Sequence, residues 1–132
     1  METLNIWAVM VAALSTFLIG GLWYSRALFG NAWMRENGLT EEQLKNGNMV
    51  KIFGLTFLLA LIAALNLAMF LGPENRPEMG ALWGFAAGFG WVATFVGTHY
   101  LFERKSLTLF LINAGYSVVA LTVMGTILAA WK

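Results

Sequence analysis

The single histidine, His99, stands one helical turn before Glu103, with Tyr100 beside it. On a helix that spacing puts an imidazole and a carboxylate on one face, the least that proton transfer requires. His99 and Tyr100 are therefore the side chains best suited to carry a proton. A tetrahedral metal site takes about four ligands, and the chain has neither Cys nor Asp to complete such a set. The plainer reading of His99 is an interfacial side chain bonded to a neighbouring helix or a headgroup. All seven acidic residues are Glu, placed near helix ends or in loops. Proton- and cation-coupled transporters usually carry a carboxylate inside the membrane, so that class is disfavoured. Ser15, Ser25, Ser106 and Ser117 lack a His-and-acid partner at a suggestive spacing, which leaves nucleophilic catalysis unsupported. Neither an enzyme nor a metal or cofactor is expected.

Two other groups of residues could bind something. Trp23, Tyr24, Arg26, Phe29 and Trp33 gather rings around a guanidinium at the end of the first apolar run. A fork of donors between apolar walls suits an anionic headgroup or a ligand with a negative end. Anchoring at the interface uses the same residue types. Asn66, Trp91, Asn113, Tyr116 and Ser117 are polar groups within long apolar runs. They could line a pocket between the second, third and fourth helices, since ligand sites are mostly apolar with a few converging polar groups. They could equally be hydrogen bonds that hold the bundle together. Trp91 is placed near a helix midpoint, where its indole N–H cannot reach water.

These residues sit on membrane helices. Only 11% of the 132 residues are charged, against about 25% in soluble domains, and mean hydropathy is +0.70. Four apolar runs have the length of a membrane span, roughly 20 residues each. We expect an all-α polytopic membrane protein forming one domain over 1–132, with helices at about 4–26, 49–71, 79–102 and 106–131. The first charge is acidic and the first run is span-length, so a cleaved signal peptide is not expected. Asn5 or Thr3 can cap the first helix and Ser106 the fourth.

Residues 29–47 form a polar segment that should lie along the cytoplasmic membrane surface, with a short interfacial helix. Thr40 and Gln43 make a capping box, Leu39 and Leu44 an apolar staple. On the first helix, Asn5, Ala8, Ala12, Ser15, Thr16, Gly20 and Trp23 share a face; Leu14, Phe17, Leu18 and Leu22 look outward. Ala60, Ala64 and Ala68 make a small-residue stripe on the second. Gly80, Gly84 and Gly88 repeat every four residues on the third, and Gly90 and Gly97 lie a heptad apart. Small residues at such spacing let helices approach closely in lipid. The doubled pattern predicts a central third helix packed on two sides, and a short 72–77 loop that makes helices two and three neighbours.

Arg26, Arg35, Lys45, Lys51, Arg104 and Lys105 fall on one side of the bundle, and Arg76 and Lys132 on the other. Positive residues in short loops mark the cytoplasmic side, which puts both termini outside. With a net charge of +1 and no basic run, nucleic acid is not a partner. Membrane lipids are the expected surroundings. Two-sided glycine faces suggest a homo-oligomer, most simply a dimer.

The run GGLWYSRALFGNAWMRENGLTEEQLK resembles the signature of a bacterial membrane family called domain of unknown function 1761. Trp23, Tyr24, Ser25, Phe29, Gly30, Trp33, Gly38, Leu39, Thr40 and Glu41 match its pattern. The glycine-rich third helix with Trp91 and the Asn113–Tyr116 region are similar too. Arg26 departs from it, standing where the family often has Pro. The resemblance implies a bacterial inner-membrane protein without an assigned activity. Two roles stay open: a non-enzymatic protein that binds or passes a lipid-like or small apolar ligand, and a structural or accessory subunit packed against a larger membrane protein.

Overall fold

A computed structural model describes residues 5–131. Thr3, Leu4 and Lys132 lie outside the described residues. The fold is all-helical: α1 (Ile6–Trp23), α2 (Gly30–Asn37), α3 (Glu41–Lys45), α4 (Met49–Leu71), α5 (Pro77–Glu103) and α6 (Leu107–Ala130). Four of them, α1, α4, α5 and α6, are long and apolar enough to cross a membrane. The end carrying α2, α3 and the α5–α6 turn is called the basic end below.

Polar side chains cap the starts of α1, α3, α4 and α6, where free N–H groups need acceptors. Asn5 Oδ1 accepts from Ala8 N, Asn48 Oδ1 from Lys51 N, and Ser106 Oγ from Leu109 N. Both halves of the Thr40–Gln43 capping box form, at 3.2 and 2.8 Å. The first helix stops at Trp23, earlier than the expected Arg26, because the chain turns sharply there. Phe29 N donates to Trp23 O and Gly30 N to Ser25 O. A Cβ on Gly30 would lie 2.3 Å from the Tyr24 carbonyl oxygen, so only glycine fits this turn. The polar segment holds two short helices, and α2 was not foreseen. Gly38, with φ +67°, ends it in the left-handed region that glycine tolerates.

The tightest contact is α5 on α6. A Cβ on Gly80 or Gly84 would stand 2.1 Å from the carbonyl oxygen of Gly125 or Leu121, and one on Gly88 2.8 Å from the Cα of Val118. Backbone therefore meets backbone, as small residues permit in lipid. The centre of the bundle is α6, not the expected third helix: α6 packs on α5, α1, α4 and α2. On the other side of α5 nothing stands near Gly90.

The stripe on α5 is re-registered by a π-helical stretch, Gly88–Ala93. A π turn takes up about one extra residue. The α6-facing positions thus run Gly80, Gly84, Gly88, Ala93 and Gly97, with one step of five. Ala93 is buried and Gly97 abuts the Phe110 ring. The Thr94 hydroxyl donates to the Gly90 and Trp91 carbonyls, occupying acceptors that the widened turn loosens.

Although the loop between them is short, α4 and α5 touch little, chiefly where the Phe70 ring meets Trp83 and Trp91. Instead α4 lies on α1, where Ala8, Ala12 and Ala13 bury against Ala64, Leu67 and Ala68. Phe17 does not look outward; its ring sits between α1 and α4, 6.1 Å from Phe53 and 6.0 Å from Phe57.

The α5–α6 contact yields a stability prediction. Gly84→Ala, which forces a methyl into the Leu121 carbonyl, should destabilise the protein by about 1–3 kcal/mol. Gly54→Ala, whose Cβ meets nothing within 4 Å, should be neutral or stabilising by up to about 1 kcal/mol. Thermal unfolding in detergent compares the two; an equal response would refute the packing argument.

Candidate functional site

The Gly30 turn folds the end of α1 back over α6, and this brings two groups of residues into one cluster. The Trp23 indole donates to the Ile112 carbonyl at 2.8 Å, and its ring meets that of Phe29 at a tilt of 46°, centroids 4.9 Å apart. Opposite the Trp23 ring α6 carries Gly115, where a Cβ would come within 3.0 Å of it. The Tyr24 ring lies 5.8 Å from Trp33 and 5.5 Å from Tyr116. Tyr116 hydroxyl donates to the Thr16 carbonyl at 3.1 Å, and its ring covers Gly20.

A hydrogen-bond chain runs through this cluster. Tyr24 hydroxyl donates to Asn113 Oδ1 at 2.6 Å, and Asn113 Nδ2 donates to the Tyr100 hydroxyl oxygen at 2.7 Å. The chain links the end of α1 to α6 and then to α5. Because Tyr100 accepts from Asn113, its own hydrogen is free to point elsewhere. Tyr100 also lines an apolar groove of about 270 Å³ between α5 and α6, with Gly97, Leu101, Lys105, Leu107 and Phe110. The bonded network thus ends on Tyr100, a residue that lines an open apolar groove together with Lys105.

Other expected site residues lie elsewhere. Arg26 is exposed and paired with Glu41, so it ties the α1–α2 turn to α3 and does not serve as a free cation of the collar. Asn66 and Trp91 do not join Asn113 and Tyr116 in a pocket; both face outward, because α4 packs on α1 and not against the inner side of α5. Asn66 donates to the Ile62 carbonyl of its own helix. His99 is exposed, and no bond links it to Glu103. Among the described residues no group of three or more metal-ligating side chains gathers. Sequence reasoning placed Tyr100 only as a proton carrier and gave Lys105 only an orienting charge. The signal that could have found them is the Gly97–Phe110 pair, a small residue against a ring, and both residues line the groove.

The Glu36 carboxylate accepts from the Ser106 hydroxyl and fastens α2 over the start of α6, where the helix dipole favours an anion.

The hydrogen-bond chain should be measurable. In a double-mutant cycle of Tyr24→Phe and Asn113→Ala, unfolding in mixed micelles should give a coupling of about 0.6–1.7 kcal/mol. Strict additivity would show that the Tyr24–Asn113 bond contributes nothing to stability.

A family model described as protein of unknown function (DUF1761) matches residues 7–129. No curated protein and no solved structure matches the chain. The match spans all four long helices and the aromatic turn between α1 and α2, so the chain belongs to the DUF1761 family.

Proposed function

We propose that this protein is a non-enzymatic binder of a lipid-like ligand, held in the α5–α6 groove at the basic end. The observation that carries the reading is the Tyr100 hydroxyl. Asn113 donates to its oxygen at 2.7 Å, which leaves its hydrogen available to a ligand in the groove. Gly97, Leu101, Leu107 and Phe110 offer an acyl chain apolar surface, and Lys105 offers an anionic or polar head a counter-charge. In this reading the aromatic collar of Trp23, Phe29 and Trp33 is the rigid support that fixes Tyr24 and, through Asn113, Tyr100.

The proposed setting is a bacterial inner membrane, with the basic end in the cytoplasm and α2 and α3 along its surface. The charge distribution supports it, since six of the eight cations are at that end. At the opposite end Arg76 bonds Glu74, and that bond holds the carboxyl below its usual range. The pairing offsets the charge of Arg76, the cation at that end among the described residues. A second reading, an accessory subunit for a larger membrane protein, is favoured by the first half of α4. Residues 49–56 are all exposed, and the one ring contact there among the described residues is Phe53 with Phe17 of α1.

Native mass spectrometry from mild detergent should find a lipid-like molecule bound at about one per chain. Leu107→Trp, which fills the groove from an exposed position, should abolish retention, and Tyr100→Phe should weaken it several-fold. Equal retention in all three proteins would remove the groove as the site, and a bare wild-type protein would remove the reading. An alkaline phosphatase reporter, whose disulfides form only outside the cytoplasm, should be active when fused to the C-terminus; an inactive fusion would reverse the orientation.

A further inference from the structure

Two polar groups stand on the outer surface of α4 and α5 with bonding capacity unused. The Trp91 indole N–H has no hydrogen-bond partner among the described residues, and Trp91 is 63% exposed. Asn66 uses one amide hydrogen on Ile62; its second hydrogen and its oxygen have no partner among the described residues. Trp91 is the fifteenth of the 27 residues of α5, about 21 Å along the axis. That position falls inside a hydrocarbon layer roughly 30 Å thick, where water cannot complete the bond. Asn66 precedes Phe70 by one helical turn on the same face of α4, and the Phe70 ring lies 6.0 Å from that of Trp91. An unused donor and an unused acceptor therefore share one patch within the membrane.

We propose that this patch docks a second copy of the chain about a two-fold axis, the Trp91 indole of each copy donating to the Asn66 amide oxygen of the other. A two-fold interface uses the same patch twice, so residue i meets j and j meets i. A patch holding one donor beside one acceptor satisfies that rule, whereas a patch of donors alone would not. Unmet polar groups in hydrocarbon are strongly unfavourable, so pairing them drives association where apolar burial cannot. The surface also has room for a partner. Nothing stands within 4 Å of a Cβ on Gly90, and a cleft of about 220 Å³ is walled by Phe70, Trp83, Ala86, Ala87 and Trp91. This face is separate from the α5–α6 groove, and the inference does not rest on ligand binding there.

The chain has no cysteine, so introduced thiols report cleanly. A copy carrying Asn66→Cys and a copy carrying Trp91→Cys, expressed together, keep one of the two reciprocal bonds. They should cross-link to each other in membranes with a short bismaleimide, well above Leu18→Cys copies on the outer face of α1. By energy transfer in vesicles, Asn66→Ala and Trp91→Phe should each weaken self-association about tenfold. The double variant should be no weaker than either single one, because each change removes the same pair of bonds. A monomer at all protein-to-lipid ratios would overturn the proposal. So would unchanged association in the single variants, or cross-linking through Leu18→Cys as strong as through the mixed pair. If a substitution at Asn66 prevents folding, Ala86→Cys at the edge of the cleft repeats the cross-linking test with both bonds intact.

Discussion

Backbone contact between α5 and α6 is the constraint on which the remaining structure depends. Lipid tails are as apolar as leucine, so apolar side chains gain little by leaving lipid for one another. What holds helices together is close packing, and packing is closest where no side chain intervenes. At Gly80 against Gly125, and at Gly84 against Leu121, added methyl groups would overlap carbonyl oxygens. This contact makes α6 the shared neighbour of the other long helices. It also sets how near Tyr100 on α5 comes to Asn113 on α6.

The π-helical stretch keeps that contact going. In an unbroken α-helix, nine residues from Gly88 to Gly97 turn the chain about 900°, which leaves Gly97 on the opposite face. One extra residue in the Gly88–Ala93 turn returns Gly97 to α6, against Phe110. Without it, the α5–α6 crossing would end halfway along α5. Tyr100, one turn beyond Gly97, would then be carried away from Asn113. A local irregularity in one helix thereby sets up the hydrogen-bond chain at the far end of it.

The candidate site was partly legible in the sequence. Trp23, Tyr24, Phe29 and Trp33 stood out as one stretch because they are close in the chain and share the turn that Gly30 makes. Asn113 and Tyr116 stood out as polar groups in an apolar run. That these two sets form a single cluster was not legible, since it depends on the α1 end folding over α6 by bonds between residues 89 apart in the chain. The roles of Asn66 and Trp91 were misplaced for a related reason. A short loop suggests that α4 and α5 pack together, yet the alanines of α4 lie against those of α1, while α5 packs on α6.

The sequence by itself determined the class of the protein, its four long helices, their caps and the polar segment between α1 and α4. Apolar run length, capping residues and charge placement are local properties, and the solvent that surrounds a helix acts on them directly. The tertiary structure alone decided which helix is central, which glycines are covered and which polar groups meet. Those outcomes depend on the relative rotation of helices. A step of five in place of four, hidden in the Gly88–Ala93 turn, redirects every position after it, and no count of residue types along α5 records that rotation.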